Sequence, residues 1–265
     1  MRFRRLLCVG LLGTSSFPAV ASAQATGDQA RLIFTVSGGA VAGRDLWSVG
    51  PQAVQFTTPA DSLELGRRIR STLAIGFGGA YFPGENIGLT MEGFLVGLGF
   101  EDSCRQVFSS GSAAATAVCS SIEEASKSAT AVALSAGTIF RINSRKSFSP
   151  YGRLNAGLVF SSQNSVQMIG QEPTPDGPSH VLIYADDHSS RVEPGLALGL
   201  GFTAAVAKSY NLRWEIRDNI VGVHRVTGTT PQAGSVPPIE RTFKHLFSLT
   251  IGFDVVLERR RGRRY

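Results

Sequence analysis

Apolar and polar positions alternate along much of the chain, most clearly over residues 246–257, LFSLTIGFDVVL. Phe247, Leu249, Ile251, Phe253, Val255 and Leu257 fall on one face of an extended strand, while Ser248, Thr250, Gly252 and Asp254 occupy the other. At roughly 3.3 Å per residue and a tilt near 45°, about eleven such positions rise about 25 Å, the height of the lipid-facing band of a transmembrane barrel. A strand of a soluble sandwich is usually about half as long.

The same alternation predicts seven further strands, over residues 32–42, 65–81, 88–100, 132–143, 151–161, 192–203 and 212–218. Residues 65–81 read as one strand, with Ile69, Leu73, Ile75, Phe77 and Tyr81 sharing a face and Arg68, Arg70 and Thr72 opposite. The third strand leaves its facing open. Glu92 has the parity of Phe94, Val96, Leu98 and Phe100, whereas Leu89, Met91 and Leu95 take the other side, and a bulge near Gly93 would reconcile the two sets. Short turns at residues 83–86, 144–149 and 208–211 separate long connections, one of them over residues 101–128 with a short helix expected at 122–126. Strict alternation of long and short connections between an even number of strands predicts an all-β, eight-stranded antiparallel up-and-down barrel, with short periplasmic turns and long extracellular loops. Closure pairs every backbone N–H and C=O, which an open sheet in lipid leaves unsatisfied at several kcal/mol each.

Export is written at the start of the chain. Arg2, Arg4 and Arg5 precede an apolar run over residues 6–12, and Ala21-Ser22-Ala23 supplies the small residues of a cleavage site, so residues 1–23 are expected to be a cleaved signal peptide. Residues 24–257 then form the barrel, and residues 258–265 a basic tail. The whole chain carries 26 basic and 20 acidic residues. Setting aside Arg2, Arg4, Arg5 and the last eight positions, which hold five arginines and Glu258, leaves 18 against 19. A nearly neutral body lacks the basic face that nucleic acid requires. Cys104 and Cys119 are the cysteines left after the leader, and in an exported chain they read as one disulfide, worth about 3 kcal/mol by loop closure. Free thiols or metal ligands are the competing reading, but neither a histidine nor a third cysteine lies near them for zinc.

An eight-stranded barrel is narrow enough for side chains to fill. Its expected inner face is mostly Gly, Ala, Ser and Thr, with Arg70, Arg141, Arg153, Glu193, Arg213, Glu215 and Arg217 as a charge network crossing the lumen. Phe77, Phe160, Phe202, Trp214, Phe247 and Phe253 are expected to face lipid. A plug is favoured over an arginine-lined pore, because large charged side chains obstruct a narrow lumen. Parity by itself leaves open which face is inside, and a soluble lipocalin-like barrel would reverse the polarity.

The signal ending Ala21-Ser22-Ala23, the glycine-punctuated GLALGLGF, the strand LRWEIRD and the terminal LFSLTIGFDVVL together resemble the small outer-membrane barrel family of the OmpA/OmpX type. The resemblance covers nearly the whole chain after the leader. It implies an integral protein of a Gram-negative-type outer membrane, in contact with outer-membrane lipids and folded by the outer-membrane assembly machinery. It also implies a non-enzymatic role in envelope structure, with extracellular loops meeting a surface ligand. One departure is that such barrels commonly end on an aromatic residue, whereas here residues 258–264 precede Tyr265.

Two other functions are weighed beside it: a small pore or conduit for small or apolar solutes, and a lipid A-modifying hydrolase. For the latter, His188 and Ser190 beside Glu193 are similar to the His/Ser/acid set of outer-membrane lipid A deacylases, but the inward direction expected of Glu193 aims it away from lipid. His180, His224 and His245 have no acid nearby in sequence and are expected in loops or at the interface. No catalytic residue, metal or cofactor is expected. The pairs Asp186–Asp187 and Glu123–Glu124 fall short of calcium's ligand count, and no glycine-rich phosphate loop opens a helix.

Overall fold

The computed structural model describes residues 29–54, 61–108, 113–124, 126–161, 166–186, 192–225 and 240–260. Its elements in chain order are β1 (Gln29–Val41), β2 (Arg44–Val54), β3 (Asp61–Ile69), β4 (Thr72–Tyr81), β5 (Ile87–Phe108), α1 (Ala113–Glu124), β6 (Ser126–Arg141), β7 (Phe148–Ser161), β8 (Val166–Thr174), β9 (Gly177–Asp186), β10 (Val192–Ala207), β11 (Tyr210–Arg225) and β12 (Glu240–Arg260). Eight of them close a ring in the order β1-β4-β5-β6-β7-β10-β11-β12, with β12 returning to β1 and every pair antiparallel. The predicted leader and the end of the tail lie outside the described residues, while β12 runs through Glu258, Arg259 and Arg260, three residues into the basic segment.

Alternation fixes which side is which. On β12, Ser248, Thr250 and Asp254 are buried, whereas Phe247, Leu249, Ile251 and Phe253 are 44–57 % exposed. Large apolar side chains therefore cover the outside of the ring, and the buried charged side chains of β12 and its neighbours point in. The polarity of a soluble barrel is excluded.

Several expectations need correction. Residues 65–81 form β3 and β4, which both run along β5, but the register slips by one residue at Arg70–Ser71, from Ile69↔Phe100 to Ala74↔Val96. The extra residue flips the side-chain parity, so Ile69 is buried while Leu73 and Ile75 face outward. The bulge thus lies at Arg70–Ser71 and not near Gly93, where β5 pairs with β4 and β6 in unbroken register. Glu92, Phe94 and Phe100 all point into the lumen.

The long connection after residue 42, which holds Trp47 and Pro51, contains strand β2, paired with β3; beyond Val41 the chain leaves β12, and β2, β3 and the upper half of β5 form a three-stranded leaf above the ring. The helix expected at 122–126 starts nine residues earlier, on an alanine-rich stretch of high helix propensity. Ala115, Val118, Cys119 and Ile122 fall on one face of α1 and are buried. Val118, Cys119 and Ile122 pack with Leu63, Leu65 and Val49 of the leaf. The Cys104–Cys119 disulfide, with Cα atoms 5.3 Å apart, fastens this helix to β5. Between β7 and β10 the chain forms a hairpin, β8–β9, turning at Gly177, whose φ of 117° suits a residue without Cβ. The hairpin docks on α1 through Gln171 N, which donates to Ser121 Oγ at 2.8 Å.

Candidate functional site: a plugged lumen beneath an apolar chamber

An ion held away from water costs several kcal/mol unless paired, so the charged inner positions dictate their own geometry. Glu215 on β11 accepts from Arg153 Nη2 at 2.6 Å, from Arg217 Nε at 2.9 Å and from the Tyr151 hydroxyl at 2.7 Å. Glu92 on β5 accepts from Arg217 Nη2 at 2.8 Å and pairs with Arg153 at 3.2 Å. In the closed ring β5 and β11 stand four strands apart in either direction, so the Glu92–Arg217 contact crosses the full diameter. Nearer the periplasmic end Arg213 meets Asp254 at 3.1 Å, and Thr35 donates to the second Asp254 oxygen at 2.7 Å. The three carboxylates balance the three guanidiniums.

Small inner-face residues make room for this network. A Cβ on Gly199 would stand 2.8 Å from Glu215 Oε1 and 3.0 Å from Arg153 Cγ. Below the network Arg141 fills the periplasmic mouth, its guanidinium 3.5 Å from the centre of the Phe82 ring and bonded to the Ala30 and Glu85 carbonyls at 2.6 and 3.0 Å.

Above the network the inner face turns apolar. Val41, Phe94, Val96, Ala133, Val159 and Val221 wall a cavity of about 210 Å³, roofed by Trp47, Ile69 and Phe100 of the leaf. The Arg217 guanidinium lies 4.6 Å from the centre of the Phe94 ring, at the level where plug meets chamber. In the roof Arg67 is buried in a bidentate pair with Asp102, at 2.5 and 2.9 Å, and packs against Trp47 and Phe100. Glu193 and Lys244 reach the chamber wall.

The chamber also meets an incomplete seam. The ladder between β10 and β11 ends at Gly195↔Val221. Beyond that point, among the described residues, the register pairs residues 192–194 with β7 and residues 222–225 with β12. Pro194, which has no N–H to donate to β11, lies just beyond the end of this ladder. Glu193, Val221 and Gly222 beside this seam border the chamber, as do Leu196 and Ile220, whose parity points outward.

The expected charge network divides accordingly. Arg153, Arg213, Glu215 and Arg217 belong to the plug. Arg141 is buried but serves the mouth, and Glu193 lies at the chamber wall. Arg70 is not in the lumen: the bulge turns it outward, where it is exposed and paired with Glu101 at 2.8 Å. Glu92, Asp254, Arg67 and Asp102 are buried charges that the sequence reading did not include, and the signal for two of them was electroneutrality. The expected inner set held five arginines against two glutamates, a surplus that only further inward acids such as Glu92 and Asp254 can balance.

His188 and Ser190 lie outside the described residues, and His180 is exposed on β9. His245 has a carboxylate close in space if not in sequence: its Nδ1 is 2.7 Å from Asp218 across the β11–β12 ladder. Among the described residues no three His, Cys, Asp or Glu side chains gather as a metal site would need.

Phe77, Phe160, Phe202, Trp214, Phe247 and Phe253 have outward parity, and Phe202 stacks on Trp214 at 4.9 Å and tilts against Phe148 at 5.1 Å toward the end with the short turns. A closed ring, an apolar outer belt with aromatics near its margin and an ion-paired interior suit one environment only. The chain is a small outer-membrane β-barrel. Its turns at residues 82–86, 142–147 and 208–209 are accordingly periplasmic, and the leaf, α1 and β8–β9 face the exterior.

No family model matches the sequence, and no curated protein does either. Among solved structures, Neisserial surface protein A is similar at 9 % identity and a TM-score of 0.42, over 87 % of this chain and 99 % of that one. The outer membrane protein OprG from Pseudomonas aeruginosa is similar at 11 % identity and 0.43, over 86 % and 96 %. Ail, the attachment invasion locus protein of Yersinia pestis, solved with the heparin analogue sucrose octasulfate, is similar at 13 % identity and 0.35, over 84 % and 99 %. The assignment of the fold rests on the strand pairing of the chain itself.

Proposed function

We propose that this barrel receives small apolar molecules in its extracellular chamber and releases them sideways into the membrane, without conducting ions along its axis. The observation that carries the reading is the vertical order of the lumen: an apolar cavity of about 210 Å³ directly above a charge-balanced plug. An engineered apolar cavity of about 150 Å³ binds benzene, so the chamber is of a size for a compact apolar guest. The end of the β10–β11 ladder at the same height supports a lateral exit, because leaving through the plug would require separating buried ion pairs.

Trp47 in the chamber roof supplies the test. Trp47 and Trp214 are the two tryptophans of the chain, so Trp214→Phe leaves Trp47 as the reporter. Bromobenzene, a heavy-atom quencher, is expected to quench Trp47 saturably in detergent-folded protein, and Ala133→Phe, which fills the chamber, is expected to abolish saturation. Quenching that rises linearly in both proteins would dismiss the chamber as a binding site. A second reading, a rigid surface for an external partner, is favoured by the disulfide and the α1–hairpin docking, which give the long loops a fixed shape.

A further inference from the structure

We infer that the guests of this chamber carry an anionic, carboxylate-type head on a small apolar body, and that the Lys244 ammonium seats the head. The inference rests on the chamber being a binding site, as proposed above, and adds the chemical class of what it binds.

Three cationic side chains border the cavity: Arg67, Arg217 and Lys244. Two are committed. Arg67 holds Asp102 through two bonds, and Arg217 holds Glu92 and Glu215. Lys244, on the inner face of β12 opposite Val221, is half-buried and has neither a hydrogen-bond acceptor nor a carboxylate on its ammonium among the described residues. The acid on the same wall, Glu193, is buried and has an interaction of its own.

An ammonium bordering an apolar space gains most from an anion that brings its own apolar body, since the head pairs with the charge while the body covers the walls. The flexible four-carbon stem of lysine lets the charge follow guests of different length. The strand register supports the placement. Lys244 is level with Val221 and Gly195, where the β10–β11 ladder stops, so a head group held there stands beside the seam.

The experiment compares 4-bromobenzoate with 4-bromotoluene, which replaces the carboxylate by a methyl group, as quenchers of Trp47 in the Trp214→Phe protein. Taking the ratio of the two apparent affinities in Lys244→Met against Lys244 protein cancels their different partitioning into detergent. The expected result is a preference for bromobenzoate that falls about tenfold in Lys244→Met, the size of one hydrogen bond to a charged group. Bromotoluene binding should stay within about twofold of the parent, and Lys244→Arg should keep most of the preference. Heat-modifiable gel mobility checks that each variant folds. An unchanged ratio in Lys244→Met overturns the role of Lys244 and leaves the chamber reading standing. Absence of saturable quenching by either compound overturns both.

Discussion

The two halves of the lumen solve the same geometric problem with opposite chemistry. Below, Gly199 and its neighbours leave space that Arg153, Glu215, Arg217, Glu92, Arg213 and Asp254 largely occupy, and each charge is held by a specific partner. Above, residues such as Val41, Val96 and Ala133 stop short of the axis and leave a cavity. A buried ion pair is a poor source of net stability but a strong constraint on geometry, because losing one partner strands the other. The lower half is therefore constrained by its ion pairs, and under the proposed function the upper half exchanges contents without disturbing the barrel.

The contrast can be broken most severely at Glu215. Glu215→Ala leaves Arg153 and Arg217 to share Glu92 alone and is expected to cost about 3–5 kcal/mol, read as a lowered urea midpoint for unfolding from lipid vesicles. Removing the disulfide, as Cys104→Ser with Cys119→Ser, should cost about 3 kcal/mol for its 15-residue separation. That loss belongs to the cap, so hydrogen exchange is expected to speed up in α1 while the barrel amides of β11 and β12 stay protected. Placing a valine in each half sharpens the comparison further. Gly199→Val pushes into the Glu215 carboxylate and should cost about 1–3 kcal/mol, whereas Ala133→Val projects into the chamber and should change stability by less than about 0.5 kcal/mol. Arg68→Ala, which removes an exposed pair with Glu101 on the leaf, should be smaller than any of these, at no more than about 0.5 kcal/mol.

How much of this was readable from the sequence depended on whether a residue's role follows from its own strand. The β12 alternation, the aromatic outer face and the rhythm of long and short connections are local patterns, and they led directly to an eight-stranded ring. The inner charges on LRWEIRD were legible for the same reason. Facing on β5 was not, because Glu92 and Phe94 share a side, and a polar lumen was the only interior then in view. That parity makes sense once the lumen has a polar lower half and an apolar upper one. Arg70 was misplaced because a single extra residue at Arg70–Ser71 reverses every side chain beyond it, and no composition signal marks the spot. The leaf and the β8–β9 hairpin were hidden by their prolines and polar residues, which suit exposed edges as well as loops. Arg67 and Asp102 meet across β3 and β5, 35 positions apart, so nothing in the sequence around either residue announces the pair.

The division of the lumen is tested most directly by the ionic current through the native protein in a planar lipid bilayer. A barrel closed by the Glu92–Arg217–Glu215–Arg153 network should stay electrically silent across a wide range of voltage and salt. Steady, ohmic single-channel steps from correctly folded native protein would mean that the lower half is open, and would contradict the plug on which the sideways route depends.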